Sequence, residues 1–125
     1  IENPDISNSK PIKCLSKKDN EKYMAIATSG DYRNFFTLDN KRYSHTIDPK
    51  SGFPISNNLA SVSVALPGQF RHTGDADALA TALNVMGLNN GFEFAVENSI
   101  AALFVFKSEN EFSIRMTPSF EDIIH

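Results

Sequence analysis

Asp77 and Thr81 are four residues apart in a segment, residues 75–86, whose apolar side chains recur at helical spacing. Residues four apart lie on one face of an α-helix, so a carboxylate and a hydroxyl oxygen would be neighbours there. Hard oxygen donors of this kind suit Mg²⁺, which keeps several waters and recruits substrate phosphates. One interpretation of this spacing is therefore a magnesium site. The alternative is that Asp77 simply favours the positive end of the helix dipole, while Thr81 packs or bonds to the backbone.

His45 is the second candidate, since it follows a β-rich run and precedes a turn at residues 48–52. An imidazole titrates near neutral pH and can remove the proton of an incoming hydroxyl nucleophile. The alternative is a strand histidine satisfied by one hydrogen bond. In the turn, Asp48 can accept a backbone hydrogen bond, and Lys50 either reaches a phosphate as a point charge or is solvated.

A third candidate is the corner formed by Ser29, Gly30 and Tyr32 at the end of a predicted strand. Gly30 would let a ligand approach the backbone closely, and Tyr32 can stack on a ring system. A plain turn explains the same residues. The sequence contains none of the patterns GxGxxG, GxxxxGK[ST], HExxH or GxSxG, which argues against the classical dinucleotide folds, P-loop proteins, zincins and α/β-hydrolases.

The elements that must position these residues are mostly strands. We predict strands over residues 12–15, 23–28, 59–66, 100–106 and 112–116, and a hairpin in which 32–38 and 41–47 flank Asp39 and Asn40. The near-continuous apolar run at 100–106 is typical of a central strand, and 112–116 is its expected antiparallel partner.

Two helices interrupt the strands. The first is predicted over about 75–86, with Thr73 or Asp75 as its cap and Gly87 at the C′ position. The second is predicted over about 90–98. The fold class is therefore α+β, mainly antiparallel, with the helices on a sheet face.

The composition limits the class of protein. At 125 residues the chain fits one domain, residues 1–125, and its net charge of −3 gives no general attraction to nucleic acid. No apolar run approaches the ~20 residues that span a bilayer. The single cysteine, Cys14, excludes an internal disulfide and a multi-cysteine metal site. Residues 1–5 lack the features of a signal peptide.

Three runs of sequence together resemble the FAD:protein FMN transferase family, known as ApbE. They are ATSGDYR at 27–33, YSHTIDPKSGFP at 43–54 and ADALATA at 76–82, in the order and approximate spacing of that family. The resemblance covers nearly the whole chain and implies the C-terminal part of an ApbE-like fold, namely the C-terminal half of a transferase about twice as long. It also implies that the Met-Gly-Thr, Gly-x-x-Lys-Gly and Gly-Gly-Asp/Glu segments of the family's upstream half lie outside this sequence.

The resemblance implies a Mg²⁺-dependent transferase that cleaves FAD at its pyrophosphate and moves the FMN half to a threonine of an acceptor redox protein. Such acceptors include subunits of sodium-pumping respiratory complexes. By similarity, Asp77 and Thr81 bind Mg²⁺ and His45 is the general base. Ser29, Gly30, Tyr32 and His45 line the flavin pocket.

The resemblance further implies a full-length flavoprotein enzyme that is lipid-anchored on the periplasmic side of the bacterial inner membrane. As a C-terminal fragment, the chain is expected to pair with its N-terminal half or to self-associate. Two other functions stay open. One is a flavin-binding module without transfer activity, and the other is an interaction fragment that needs its N-terminal half.

Overall fold

The computed structural model describes residues 1, 3, 10–13, 15, 24–31, 35–68 and 73–124. In chain order the elements are β1 (Met24–Gly30), β2 (Phe35–Leu38), β3 (Lys41–Ser44), β4 (Leu59–Pro67), α1 (Thr73–Met86), α2 (Leu88–Glu97), β5 (Ala101–Ser108), β6 (Glu111–Met116) and α3 (Pro118–Glu121). The architecture is α+β, as predicted, and every described strand pair is antiparallel.

Four strands form the main sheet in the order β1-β4-β5-β6, so the predicted strands at 59–66 and 100–106 are its two interior members. Every residue of β4 from Leu59 to Leu66 is buried, including Ser61 and Ser63. Both faces of β4 are therefore covered. The Ser63 hydroxyl is satisfied by a 2.7 Å hydrogen bond with the Thr28 hydroxyl on β1.

One face of this sheet packs against α1 and α2. Alternate residues of β4 and β5 on that face, such as Val62 and Phe104, contact a helical stripe made of Ala76, Ala80 and Leu83. Because the stripe contains two alanines, the backbone of α1 can approach the strands closely. This packing also brings α1 into contact with β1.

The opposite face is covered in part by α3, a helix that the sequence reasoning missed, and in part by apolar residues of the chain's first fifteen residues and its C-terminal end, such as Ile12, Leu15 and Ile123. Leu103 and Val105 pack there against Phe120. The sequence does indicate where α3 begins, because proline is favoured in the first turn of a helix and Pro118 directly follows the N-cap residue Thr117. Thr117 is fully buried, and its hydroxyl donates to the Ile100 carbonyl at 2.8 Å and accepts from the Ala102 N–H at 2.9 Å.

Several predicted boundaries differ from the structure. The first helix begins at Thr73, so Thr73 lies inside the helix instead of capping it. The second helix covers 88–97 instead of 90–98, and Gly87, with φ of 80°, ends the first helix as predicted. The predicted strand at 12–15 is reduced to an isolated bridge between Leu15 and Ile124. Cys14 lies outside the described residues.

The predicted hairpin forms a separate two-stranded sheet from β2 and β3. Asp39 and Asn40 have φ of 50° and 60°, the backbone that a tight type I′ turn requires. The Phe36 and Tyr43 rings stack across the strands with centroids 5.3 Å apart. Within the described ranges, none of the helices combines the length and the apolar character that crossing a membrane requires.

Gly91 offers a test of the contact between α1 and α2. A Cβ atom there would lie 2.8 Å from the Leu83 carbonyl oxygen and 3.3 Å from the Phe104 ring. We expect Gly91→Ala to lower the free energy of unfolding by about 1–3 kcal/mol, because α2 must move away from α1. Urea denaturation measures the change.

The matched control is Gly74→Ala in α1, where nothing lies within 4 Å of the added carbon. That variant should change stability by no more than about 1 kcal/mol, towards higher stability, because alanine is the better helix former. Equal destabilisation by both variants would contradict the packing argument.

Candidate functional site

The two predicted metal ligands lie on the solvent side of α1. Asp77 and Thr81 are both exposed and occupy successive turns of one helix face, as their spacing predicts. Among the described residues, no group of three or more His, Cys, Asp or Glu side chains is placed to hold a metal ion. Two oxygen donors with open solvent around them fit Mg²⁺, which fills its remaining positions with water and phosphate oxygens.

Asn84 lies one turn after Thr81, at the border between the face of Asp77 and Thr81 and the buried stripe of α1, and it is completely buried. Its side-chain nitrogen donates to the Ser29 hydroxyl on β1 over 3.3 Å, while its Oδ1 accepts no hydrogen bond from the described part of the chain. Its main-chain oxygen accepts from the Asn57 side chain at 2.9 Å. Asn84 thus connects the helix of Asp77 and Thr81 to Ser29.

Sequence reasoning missed Asn84, although a signal for it exists. Asn84 lies four residues after Ala80 and eight after Ala76, on the buried stripe of α1, where the pattern otherwise calls for an apolar residue. A polar residue in such a position needs a hydrogen-bonding partner. Only the fold identifies that partner as Ser29, because the two residues are 55 positions apart.

Gly30 ends β1 against the start of β4. A Cβ atom at this position would lie 2.7 Å from the Ala60 carbonyl oxygen and 2.8 Å from the Ser61 Cβ. The missing side chain therefore permits a close strand contact, which is a structural reason for glycine here. The predicted contact of Ser29 and Gly30 with flavin stays a prediction, and Tyr32 lies outside the described residues.

His45 follows β3 directly, and its side chain is 57% exposed. Its Nδ1 atom is 3.8 Å from Oδ1 of Asp31, a carboxylate whose side chain is only 17% exposed. The sequence reasoning gave Asp31 no role of its own. The Asp31 N–H donates to the Ala60 carbonyl at 3.1 Å, and the Arg42 guanidinium donates to the Asp31 carbonyl. Hydrogen bonds to β4 and β3 thus fix the backbone of Asp31, the residue that follows β1.

The turn after His45 is closed by hydrogen bonds to Asp48. The Lys50 N–H donates to the Asp48 carboxylate at 2.9 Å, and the Gly52 N–H donates to the Asp48 carbonyl at 2.8 Å. These bonds confirm the interpretation of Asp48 as a turn acceptor. Lys50 is exposed.

A cavity of about 570 Å³ opens beside the corner after β1. Its wall includes Asp31, Arg42 and Ser44, together with Asn57 and Lys107 from the other side. His45 is not part of this wall, although the Asp31 carboxylate that it approaches is.

The end of β1 makes two contacts that involve predicted site residues. Ser29 contacts Asn84 on the helix of Asp77 and Thr81, and Asp31 approaches His45. Ser29 and Asn84 are 55 residues apart in the sequence, and Asp31 and His45 come from different loops, so packing of α1 and the hairpin beside β1 makes both contacts.

Comparison with known proteins assigns the family. The model of the ApbE family matches residues 1–104, and the chain belongs to this family. The FAD:protein FMN transferase of Haemophilus influenzae is 33% identical over 98% of this chain, which corresponds to 34% of that protein.

Solved structures agree with this assignment. The flavinyl transferase ApbE of Pseudomonas stutzeri, in its apo form, is 44% identical with a TM-score of 0.69, over 81% of this chain and 31% of that chain. The apbe protein of Thermotoga maritima is 27% identical with a TM-score of 0.76, over 99% of this chain and 37% of that chain. The chain spans about a third of the length of the curated relatives it matches.

The burial of Asn84 predicts a strong response to a change of charge there. We expect Asn84→Asp to lower the free energy of unfolding at pH 7 by about 3–5 kcal/mol, because a charged carboxylate would replace a neutral amide at a completely buried position. Thermal or urea unfolding measures the loss. Asn89→Asp is the matched control, since Asn89 is exposed in the first turn of α2. A carboxylate there should be neutral or slightly stabilising. A similar loss in both variants would contradict the role assigned to burial.

Proposed function

We propose that the full-length protein carrying this chain transfers FMN from FAD to a threonine hydroxyl of an acceptor redox protein, with Mg²⁺ required. The relatives named FAD:protein FMN transferase support the transfer reaction. The observation that carries the proposal is the exposed pair of Asp77 and Thr81, which lie two turns and one turn of α1 before Asn84 and its contact with Ser29. This arrangement suits a substrate whose phosphates meet a metal and whose other parts meet the end of β1.

His45 is the proposed general base. Its exposure leaves the imidazole accessible to a hydroxyl group of another protein. The imidazole takes the proton of the threonine hydroxyl, and the threonine oxygen forms a bond to the phosphorus on the FMN side of the pyrophosphate. The bond from that phosphorus to the bridging oxygen breaks, and AMP leaves with the electron pair.

Asp77 and Thr81 are the proposed magnesium ligands. They would hold an ion whose positive charge would offset the negative charge on the phosphate oxygens during phosphoryl transfer. Catalysis of this kind depends mainly on positioning, so the residues of the chain must hold the pyrophosphate in line with the incoming oxygen. Ser29 and Gly30, with Tyr32, are the proposed contacts to the flavin part of FAD.

The acceptor is proposed to be a redox protein, such as a subunit of a sodium-pumping respiratory complex. The remaining contacts to FAD are assigned to the rest of the full-length protein, since this chain corresponds to about a third of its relatives. The isolated chain is proposed to pair with the rest of the full-length protein, and self-association of the chain is the alternative.

Asp77→Ala in the full-length protein tests the metal assignment. We expect the rate of FMN transfer to fall by about 100-fold or more, because a metal that stabilises charge in the transition state is worth several kcal/mol. The assay follows covalent flavin fluorescence on a soluble acceptor domain at fixed FAD and increasing Mg²⁺. The thermal unfolding midpoint should change little, since the Asp77 side chain is exposed.

Glu97→Ala is the matched control, because it removes an equally exposed carboxylate from α2. It should leave the transfer rate unchanged. Normal transfer by Asp77→Ala at low Mg²⁺ would overturn the metal assignment. FAD binding without any covalent product, in the unmodified protein, would instead favour a flavin-binding module.

We also propose that the full-length protein is lipid-anchored on the periplasmic face of the inner membrane, where its acceptors would be flavinylated. Protease added to spheroplasts of the native bacterium should degrade it while a cytoplasmic marker survives. Protection equal to that of the marker would place the protein in the cytoplasm.

A further inference from the structure

We propose that Asp31 is a positioning residue for His45. Its carboxylate holds the imidazole in the form protonated at Nδ1, so that Nε2 is the atom that takes the acceptor's proton. This inference rests on the proposed transfer reaction and adds a residue to it.

The first support is the state of the carboxylate. Oδ1 of Asp31 is buried and accepts no hydrogen bond from the described part of the chain. A buried carboxylate oxygen without a donor is costly, so it requires one. Nδ1 of His45 is a ring nitrogen 3.8 Å away. Hydrogen bonds at catalytic sites are often long without substrate and shorten in the reacting complex.

The second support is that both partners are anchored. The Asp31 backbone is bonded to Ala60 of β4 through its N–H and to Arg42 of β3 through its carbonyl. His45 lies three residues after Arg42, immediately beyond the end of β3. The guanidinium of Arg42 lies 3.7 Å from the centre of the Phe35 ring, which fixes its direction. The hydrogen bond from Arg42 therefore ties Asp31 to β3, the strand that His45 directly follows.

The third support is the difference in exposure. The His45 side chain is 57% exposed and the Asp31 side chain 17%. The imidazole can therefore present one nitrogen to a substrate while the other faces the carboxylate. In a neutral imidazole one nitrogen donates and the other accepts, so a carboxylate at Nδ1 leaves the lone pair on Nε2.

The proposed step balances without a further reactant. The threonine proton moves to Nε2, and the hydroxyl oxygen uses its electron pair to bond to phosphorus. The imidazolium that forms is stabilised by the Asp31 carboxylate, which keeps its charge throughout. Activated nucleophiles are commonly hydrogen-bonded to a base, and the base is in turn oriented by a third group.

The direct test is the position of the proton on His45, measured by ¹⁵N NMR of the histidine-labelled full-length protein. The signals of His45 are assigned by their loss in His45→Gln. We expect Nδ1–H as the main neutral form in the unmodified protein, and a shift towards Nε2–H in Asp31→Asn, whose amide can donate to Nδ1. The matched control is Asp48→Asn, because the Asp48 carboxylate is close to His45 in sequence but bonded within its own turn.

The two outcomes of the NMR test are distinct. A change of the protonated nitrogen in Asp31→Asn alone supports the inference. The same protonated nitrogen in the unmodified protein and in Asp31→Asn overturns it. This readout does not depend on activity, so it stands even if FMN transfer by the unmodified protein were absent and the proposed function itself failed.

The second test is a double-mutant cycle on the rate of FMN transfer, using Asp31→Asn, His45→Gln and the double variant. We expect each single change to lower kcat by about 10²–10⁴-fold, with KM for FAD changed by no more than about twofold. The double variant should match His45→Gln within about twofold, because residues that act as a unit are not additive.

A structural role for Asp31 would give a different pattern. Losses that multiply in the double variant, or an unchanged kcat in Asp31→Asn, would overturn the inference. A normal kcat in His45→Gln, with active unmodified protein, would also overturn it, because Asp31 would then have no base to orient.

Discussion

Strand β4 is buried on both faces from Leu59 to Leu66, and this constraint organises the rest of the structure. A strand without solvent on either side needs a layer above and a layer below, as well as hydrogen-bonded neighbours at both edges. Helices α1 and α2 supply one layer, α3 contributes to the other, and β1 and β5 are the neighbours. Small residues on β4 make the close packing possible, since Ser61 and Ser63 occupy little space and Ser63 shares its hydrogen bond with Thr28.

The site follows from this arrangement because β1 ends against the first residues of β4. Gly30 can lie there only without a side chain, and Asp31 is bonded to the Ala60 carbonyl one residue later. The same packing that brings α1 down onto β1 and β4 leaves Asn84 beside Ser29. Three consecutive residues at the end of one strand therefore contact a helix, a second strand and, through Asp31, the histidine that follows β3.

Two buried oxygens without a hydrogen-bond donor in the described chain, on Asp31 and Asn84, both belong to this region. Elsewhere the buried polar groups discussed above are satisfied, as Thr117 shows with bonds to both Ile100 and Ala102. Unsatisfied buried groups cost stability, and proteins tend to keep them where function requires them. Their position next to Ser29 and His45 is consistent with a region whose groups are completed by a substrate or by a shorter contact to the imidazole.

The sequence alone determined the local features: the strands of the main sheet, the Asp39-Asn40 hairpin, the helix carrying Asp77 and Thr81, and the Asp48 turn. Each depends on residues close together in the chain, namely apolar periodicity, turn residues and a C′ glycine. The resemblance in three motifs supplied the family. Tertiary structure alone decided that β4 is covered on both faces, that Asn84 meets Ser29, and that Asp31 approaches His45. These contacts join residues that are distant in the chain or that no periodicity links, so they exist only once the layers have packed.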